Sequence, residues 1–389
     1  MSATVAVTGL GVVSALGHGV EPFWRGLLAG GSGLRPIRRF QVPREAALGA
    51  EVEPLEPRAV ACSPVGRRID WVSLMGLAAC RLALADAGLE PAALEPARTG
   101  LGLGSAWGNL HETAGFLDRL FARGAGNPLV FPNLVFNAPL SYASIELGIT
   151  GPTAMHSAQE ASGEAAIAWG IQVVAGGAAE VCLVGGTDEL GDVLHQVLRE
   201  GRRLARGLPR PLDPAAEGPC PGEGAAVLVL EPEARARGRR VYARLRPCPG
   251  FAVPAPVHGW PRDPAPLAQG LASVVADADV VFAAASGRPD LDAVEAAALA
   301  RALSGRRAAV TAVRGALGDF GAAGALAAAA AVRAVAEGRV PPTLGLVPPP
   351  RAGLDVVVGS ARAVPARVAV VNGMARGGMC QPLRLERPY

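Results

Sequence analysis

The side chains that most often carry nucleophilic, acid–base or metal chemistry are thinly spread in this chain. Six cysteines (Cys62, Cys80, Cys182, Cys220, Cys248 and Cys380) include no Cys-x-x-Cys pair. That spacing offers neither a zinc site nor a small disulfide framework, and it suits a reducing cytoplasm. Gly9-Leu-Gly11 follows a strand-like run, as a dinucleotide loop would, but Ser14 stands where a third glycine belongs and no acidic residue follows at the right distance. No cofactor and no metal are therefore expected. Glu160 closes the pattern Ser157-Ala-Gln-Glu160, which fits a capping box with a carboxylate at the third helical position, where it also complements the helix dipole. A chemical reading is open beside the structural one: Glu160 as general base or nucleophile of a hydrolase or acyltransferase. It needs a second acid or base, for which Asp319 is the candidate.

The elements that must position these residues read as α/β. Apolar runs recur at Val5–Val7, Val181–Val184, Ala226–Leu230, Val280–Phe282, Ala308–Val313, Asp355–Val358 and Val368–Val371. Between several of them lie Ala-rich stretches of helical length, Ala161–Gly176 and Gly321–Gly338, each stopping at a glycine that predicts a helix C-cap. Continuous apolar strands alternating with helices imply sheets covered on both faces. The two Ala-rich helices look like counterparts, which hints at an internal duplication with halves meeting near Gly238: residues 1–238 and 239–389. The Pro-rich stretches Pro247–Pro266 and Pro348–Pro350 read as loops.

A formal net charge of +3 over 389 residues, with no Lys/Arg stripe, argues against nucleic acid. The start, Met1–Ser14, lacks the basic region of a secretory leader. No apolar stretch of spanning length is free of turn formers or charge: Arg333 and Glu337 interrupt the longest. A soluble, cytoplasmic protein is expected.

Several segments, in order, resemble the β-ketoacyl synthases. The run Val5–Ser14 is similar to that family's opening strand and turn. Phe23-Trp24, the turn Gly30–Gly33 and Arg39-Phe40 continue the likeness. Gly151-Pro152, Ala161–Gly163, Gly185-Gly186, Asp188-Glu189, Pro211–Asp213, Gly222–Ala225, Val229–Glu231, Pro341–Thr343, Asn372 and Gly377-Gly378 carry it to the end. The resemblance implies the thiolase fold: two similar halves in a five-layered αβαβα stack.

It also implies a catalytic set that this chain lacks. A ketosynthase needs a cysteine at the start of a buried helix, to hold the acyl chain as a thioester, and two histidines that decarboxylate the extender and stabilise the enolate oxygen. Counting from Gly151-Pro152 puts Glu160 at the nucleophile position. Counting back from Asp292 and Glu295 puts Ala284 at the first histidine. Asp319 takes the second, Arg314 replaces the nearby lysine, and Ala328 replaces the glutamate set against that lysine. None of the five histidines (His18, His111, His156, His195, His258) falls at either site.

Within the family this pattern is similar to the chain length factors of type II polyketide systems, inactive subunits that pair with a catalytic ketosynthase fed by an acyl carrier protein. They commonly carry glutamine where Glu160 stands. Arg376 occupies the turn where ketosynthases place a gating phenylalanine, so a Glu160–Arg376 ion pair is expected to fill a dead pocket with compensated charge. The resemblance further implies a tunnel wall on the helix after Gly104, with Leu110, Thr113 and Phe116 recurring at helical spacing. Thr113 aligns with a residue that limits acyl length.

Overall fold

The computed structural model describes residues 4–44, 47–64, 68–201 and 203–388. Among the described residues the principal strands and the longer helices follow as β1 (Val5–Ser14), α1 (Val20–Leu28), α2 (Trp71–Ala87), β2 (Thr99–Gly104), α3 (Leu110–Arg123), α4 (Ala138–Leu147), β3 (Thr153–His156), α5 (Ser162–Ala175), β4 (Val181–Asp188), α6 (Asp192–Glu200) and β5 (Gly224–Pro232). After a connection containing Gly238 come β6 (Ala243–Arg246), α7 (Pro264–Ala272), β7 (Val280–Phe282), α8 (Pro289–Leu303), β8 (Ala309–Thr311), α9 (Ala323–Glu337), β9 (Val368–Met374) and β10 (Met379–Glu386).

The pairing pattern repeats. In the first set β1–β5 and β5–β4 are antiparallel, while β4–β2 and β2–β3 are parallel. In the second, β6–β10 and β10–β9 are antiparallel, while β9–β7 and β7–β8 are parallel. A short antiparallel seam, Val5–Val7 against Ala243–Leu245, joins the two sets.

Side-chain alternation then builds the layers. On β4, Cys182 and Val184 face a central core, whereas Val181 and Leu183 face an outer one against α2 and α4. On β7, Val280 and Phe282 face the same central core, and Val281 faces a second outer one against α7 and α8. Helices α5 and α9 contact each other and strands of both sets. Both faces of each strand set are thus buried, which is why these strands read as unbroken apolar runs.

Small residues let the layers close. A Cβ on Gly9 or Gly11 would lie 2.3 or 1.9 Å from backbone oxygens of Ala83 and Ala79, so this pair of glycines serves the packing of β1 on α2. One on Gly163 would lie 2.8 Å from the Ala325 backbone nitrogen, so the central helices touch nearly backbone to backbone.

Two local expectations need correction. Asp355–Val358 is not a strand but makes a single bridge, Val356 to Val310. Gly176 does cap α5 as expected, at φ −79°, with the left-handed residue following it, Gly177 at φ 74°. The Ser157–Glu160 capping box does not form. Instead the Ser162 hydroxyl accepts from the Ala158 N–H at 2.9 Å and donates to the Gln159 carbonyl at 2.7 Å, which frees the Glu160 carboxylate to turn elsewhere.

Candidate functional site

The end of β3 feeds a tight turn, Gln159–Ala161, that leads straight into α5. Gln159 takes a left-handed φ of 49°, and this twist swings Glu160 into the interior, where it is buried. Across from it, the β9–β10 hairpin turns through Gly377 and Gly378, at φ 83° and 89°, and presents Arg376. The Arg376 Nε donates to Glu160 Oε1 at 2.7 Å, and its backbone N–H to Oε2 at 3.3 Å. The guanidinium also lies 5.9 Å from the centre of the Trp107 ring.

A second charge group is continuous with the first. Arg314 opens a short helix, Arg314–Leu317, and is fully enclosed. It donates to Asp319 Oδ1 at 3.0 Å and to the Glu160 backbone carbonyl at 3.2 Å. Arg288, just before α8, holds the other oxygen of Asp319 at 2.8 Å. Burial opposes ionisation of Asp319, but the charges of Arg288 and Arg314 outweigh it and hold the carboxyl below the usual range. The Asp319 side chain therefore remains an anion clamped between two cations.

Glu164, in the first turn of α5, completes the network. Its carboxyl stands 3.5 Å from Arg314 Nη2, yet among the described residues neither oxygen has a hydrogen-bond partner. Complete burial pushes its pKa up to about 7, with Arg314 pulling the other way. Gly324 and Gly373 make room for it: a Cβ on Gly324 would sit 1.9 Å from this carboxyl.

Ala284 is buried beside the network but takes no part in the charges. Its N–H donates to Glu295 Oε1 at 2.8 Å, an oxygen that also receives the Asn372 amide. Asp292 fastens the adjoining loop through the N–H groups of Leu212, Ser286 and Gly287. The structure thus gathers Glu160, Arg314, Asp319 and Arg376 into one network, with Ala284 at its border. Sequence reasoning missed Arg288, Glu164 and Trp107. The signal for Glu164 was a lone acid in an otherwise small, apolar helix, four residues after Glu160.

The mouth of this site is a cavity of about 240 Å3 lined by Arg203, His258, Trp260, Arg288, Asp290 and Arg376, among others. Leu110, Thr113 and Phe116 lie on a different element, α3, which has no fully buried side chain. Phe116 packs on Phe131, with ring centres 6.0 Å apart, and covers Gly126.

A layered αβαβα fold with a helix start, a loop after β7 and a loop before α9 converging on one buried point defines a thiolase-like ketosynthase architecture. Residues 2–236 match the β-ketoacyl synthase N-terminal domain and residues 269–347 its C-terminal domain. The chain belongs to the β-ketoacyl synthase family. It is 31% identical to the actinorhodin polyketide putative β-ketoacyl synthase 2 of Streptomyces coelicolor, over 99% of this chain and 98% of the relative. It is 30% identical to the tetracenomycin polyketide synthase ketoacyl synthase β subunit of Streptomyces glaucescens, again over 99% and 98%. Among solved structures it is similar to the ishigamide ketosynthase/chain length factor, with a TM-score of 0.93 and 27% identity over the whole of both chains. The likeness to chain length factors extends from end to end.

Proposed function

We propose that this chain is a non-catalytic chain-length-factor subunit, made of halves 1–238 and 239–389, that pairs with an active ketosynthase in the cytoplasm and helps to shape the tunnel limiting polyketide or polyene length. The observation that carries this reading is the ion-paired state of every charged side chain at the vacated positions. Glu160 is engaged by Arg376, and Asp319 by Arg288 and Arg314. Condensation needs a nucleophile that can be acylated and neutral bases that can accept a proton; paired carboxylates and guanidinium groups supply neither.

The surface supports a partner. Leu117, Phe121, Leu129, Phe131, Val135 and Ile145 are all exposed on α3, α4 and the chain between them. Large apolar side chains exposed together on neighbouring elements fit an interaction surface. The relatives named above include a β subunit and a ketosynthase/chain length factor, and a further solved ketosynthase structure was determined with its acyl carrier protein. A catalytic ketosynthase subunit and an acyl carrier protein carrying the polyketide chain are the partners that fit. The alternative, a standalone hydrolase or acyltransferase using Glu160, needs a free carboxylate and a free second acid or base. The pairing of Glu160 and Asp319 disfavours it.

The test is acyl transfer. Incubated with acyl- and malonyl-loaded carrier protein, the purified chain should acquire no covalent adduct and release no carbon dioxide, while the same assay with an active ketosynthase gives both. An acyl adduct on this chain in mass spectrometry would overturn the reading.

A further inference from the structure

A cavity of about 400 Å3, separate from the charged site, opens between the start of α2, the first turn of α3 and the loop after β4. Its size falls in the range of small-molecule sites. Phe40, Val52, Pro54, Trp71 and Leu190 make its walls largely apolar.

The walls are built around one buried anion. Glu223, which is almost wholly enclosed, accepts from Arg39 Nη1 at 2.7 Å, Trp71 Nε1 at 3.1 Å, the Val52 N–H at 2.8 Å and the Leu190 N–H at 3.0 Å. Four lining residues are thereby held in place by a single carboxylate. Arg39, which also lies 5.0 Å from the centre of the Trp71 ring, is committed to this scaffold and is not free to bind a ligand anion.

Glu189 differs from the rest of the lining. It is buried, and among the described residues its one hydrogen bond is from the His111 N–H to Oε1 at 3.0 Å. Burial, with Asp70 and Glu223 nearby, raises its pKa to about 8. At neutral pH it is mainly a carboxylic acid, whose O–H can donate to an oxygen placed in the cavity.

We propose that this cavity binds a neutral, medium-chain lipophilic molecule bearing one acceptor oxygen, a ketone or an alcohol, with Glu189 donating to that oxygen. A ligand carboxylate would enter beside three carboxyl groups, Asp70, Glu189 and Glu223. The walls themselves suit an alkyl or polyene chain. This inference concerns a different cavity and does not depend on the chain-length reading.

The experiment is a calorimetric titration of the purified full-length protein with 2-undecanone, with undecanoate as the charged match. One saturable site for the ketone and weaker binding of undecanoate are expected. Glu189→Ala should weaken ketone binding about tenfold, the equivalent of about 1.4 kcal/mol. Glu189→Gln, which keeps a donor, should stay within about threefold of the parent. Pro54→Trp, at the exposed rim, should block entry without disturbing the core. Absence of saturable ketone binding, equal or tighter binding of undecanoate, or ketone affinity unmoved by both Glu189→Ala and Pro54→Trp would each overturn the proposal.

Discussion

Glu160 and Arg376 are each about nine-tenths enclosed at the side chain, so neither charge is tolerable without the other. Breaking a buried pair from one side costs roughly 3–5 kcal/mol, whereas replacing both partners by groups of similar shape is often close to neutral. Glu160→Gln and Arg376→Met should each lower the unfolding free energy by about 3 kcal/mol, the lower end of that range because each side chain keeps some exposure. The double variant should recover most of that loss, and urea denaturation of the four proteins would read the coupling. The neighbouring acids set a pH dependence of definite sign. Glu164, Asp292 and Glu295 all have pKa values raised to about 7, with burial the largest cause in each case. Between the ordinary carboxyl value and 7 the folded chain keeps protons that the unfolded chain has lost. The stability these groups allow is complete below the ordinary value and declines as pH rises through about 7. Glu164→Gln cannot lose a proton, so it should reduce the stability lost between pH 5 and pH 7.5 by about 2 kcal/mol. An unchanged slope would show that Glu164 is already ionised in the folded state.

At the scale of elements, α3 and the chain after it are the part of the molecule whose sequence speaks of another surface. Phe116 is held against Phe131 and over Gly126. In the heterodimer, trimming Phe116 to Ala should lengthen the product and enlarging Thr113 to Trp should shorten it. Overpacking a closed apolar site costs roughly 1–3 kcal/mol, and each 1.4 kcal/mol or so shifts a partition tenfold. Product analysis by mass spectrometry, with the first condensation rate as control, would decide it; profiles unmoved by both would place the wall elsewhere. What the sequence showed of the elements follows the same physics. Strands buried on both faces, such as Val181–Val184 and Val280–Phe282, announce themselves as apolar runs. Strand β2 (Thr99–Gly104) did not, because three of its six residues are glycines. In β2 the glycines make room: a Cβ on Gly104 would lie 2.0 Å from the Ser162 carbonyl oxygen. Likewise Glu160 was legible by spacing. Its rotation away from the helix axis was not, because it depends on the left-handed Gln159 and on Ser162 capping the turn in its place.

For the whole molecule, the exposed residues of α3, α4 and the connecting segment predict how the chain is handled in solution. Phe121 is 83% exposed and Phe131 60%, a cost that a stable partner interface removes. Co-expression with a catalytic ketosynthase should give a one-to-one heterodimer that survives dilution. Phe121→Glu should weaken that assembly while leaving the circular dichroism of the chain unchanged, because the side chain packs against little in its own fold. Gel filtration with light scattering would read the outcome, and an unaffected heterodimer would move the interface away from this face.

The interlocked charges also have a consequence in time, for the history that such a subunit can retrace. Returning Glu160 to cysteine strands Arg376 in the interior. Returning Asp319 to histidine sets Arg288 and Arg314 side by side with no anion between them, since Asp319 is what now separates them. Neither step restores chemistry by itself, because the other catalytic positions stay filled, and each one meets an uncompensated buried charge. The route back to an active enzyme therefore runs uphill at both of these substitutions. On the proposed non-catalytic reading the paired charges act as a ratchet, since reversing either carboxylate alone leaves a buried cation without its partner.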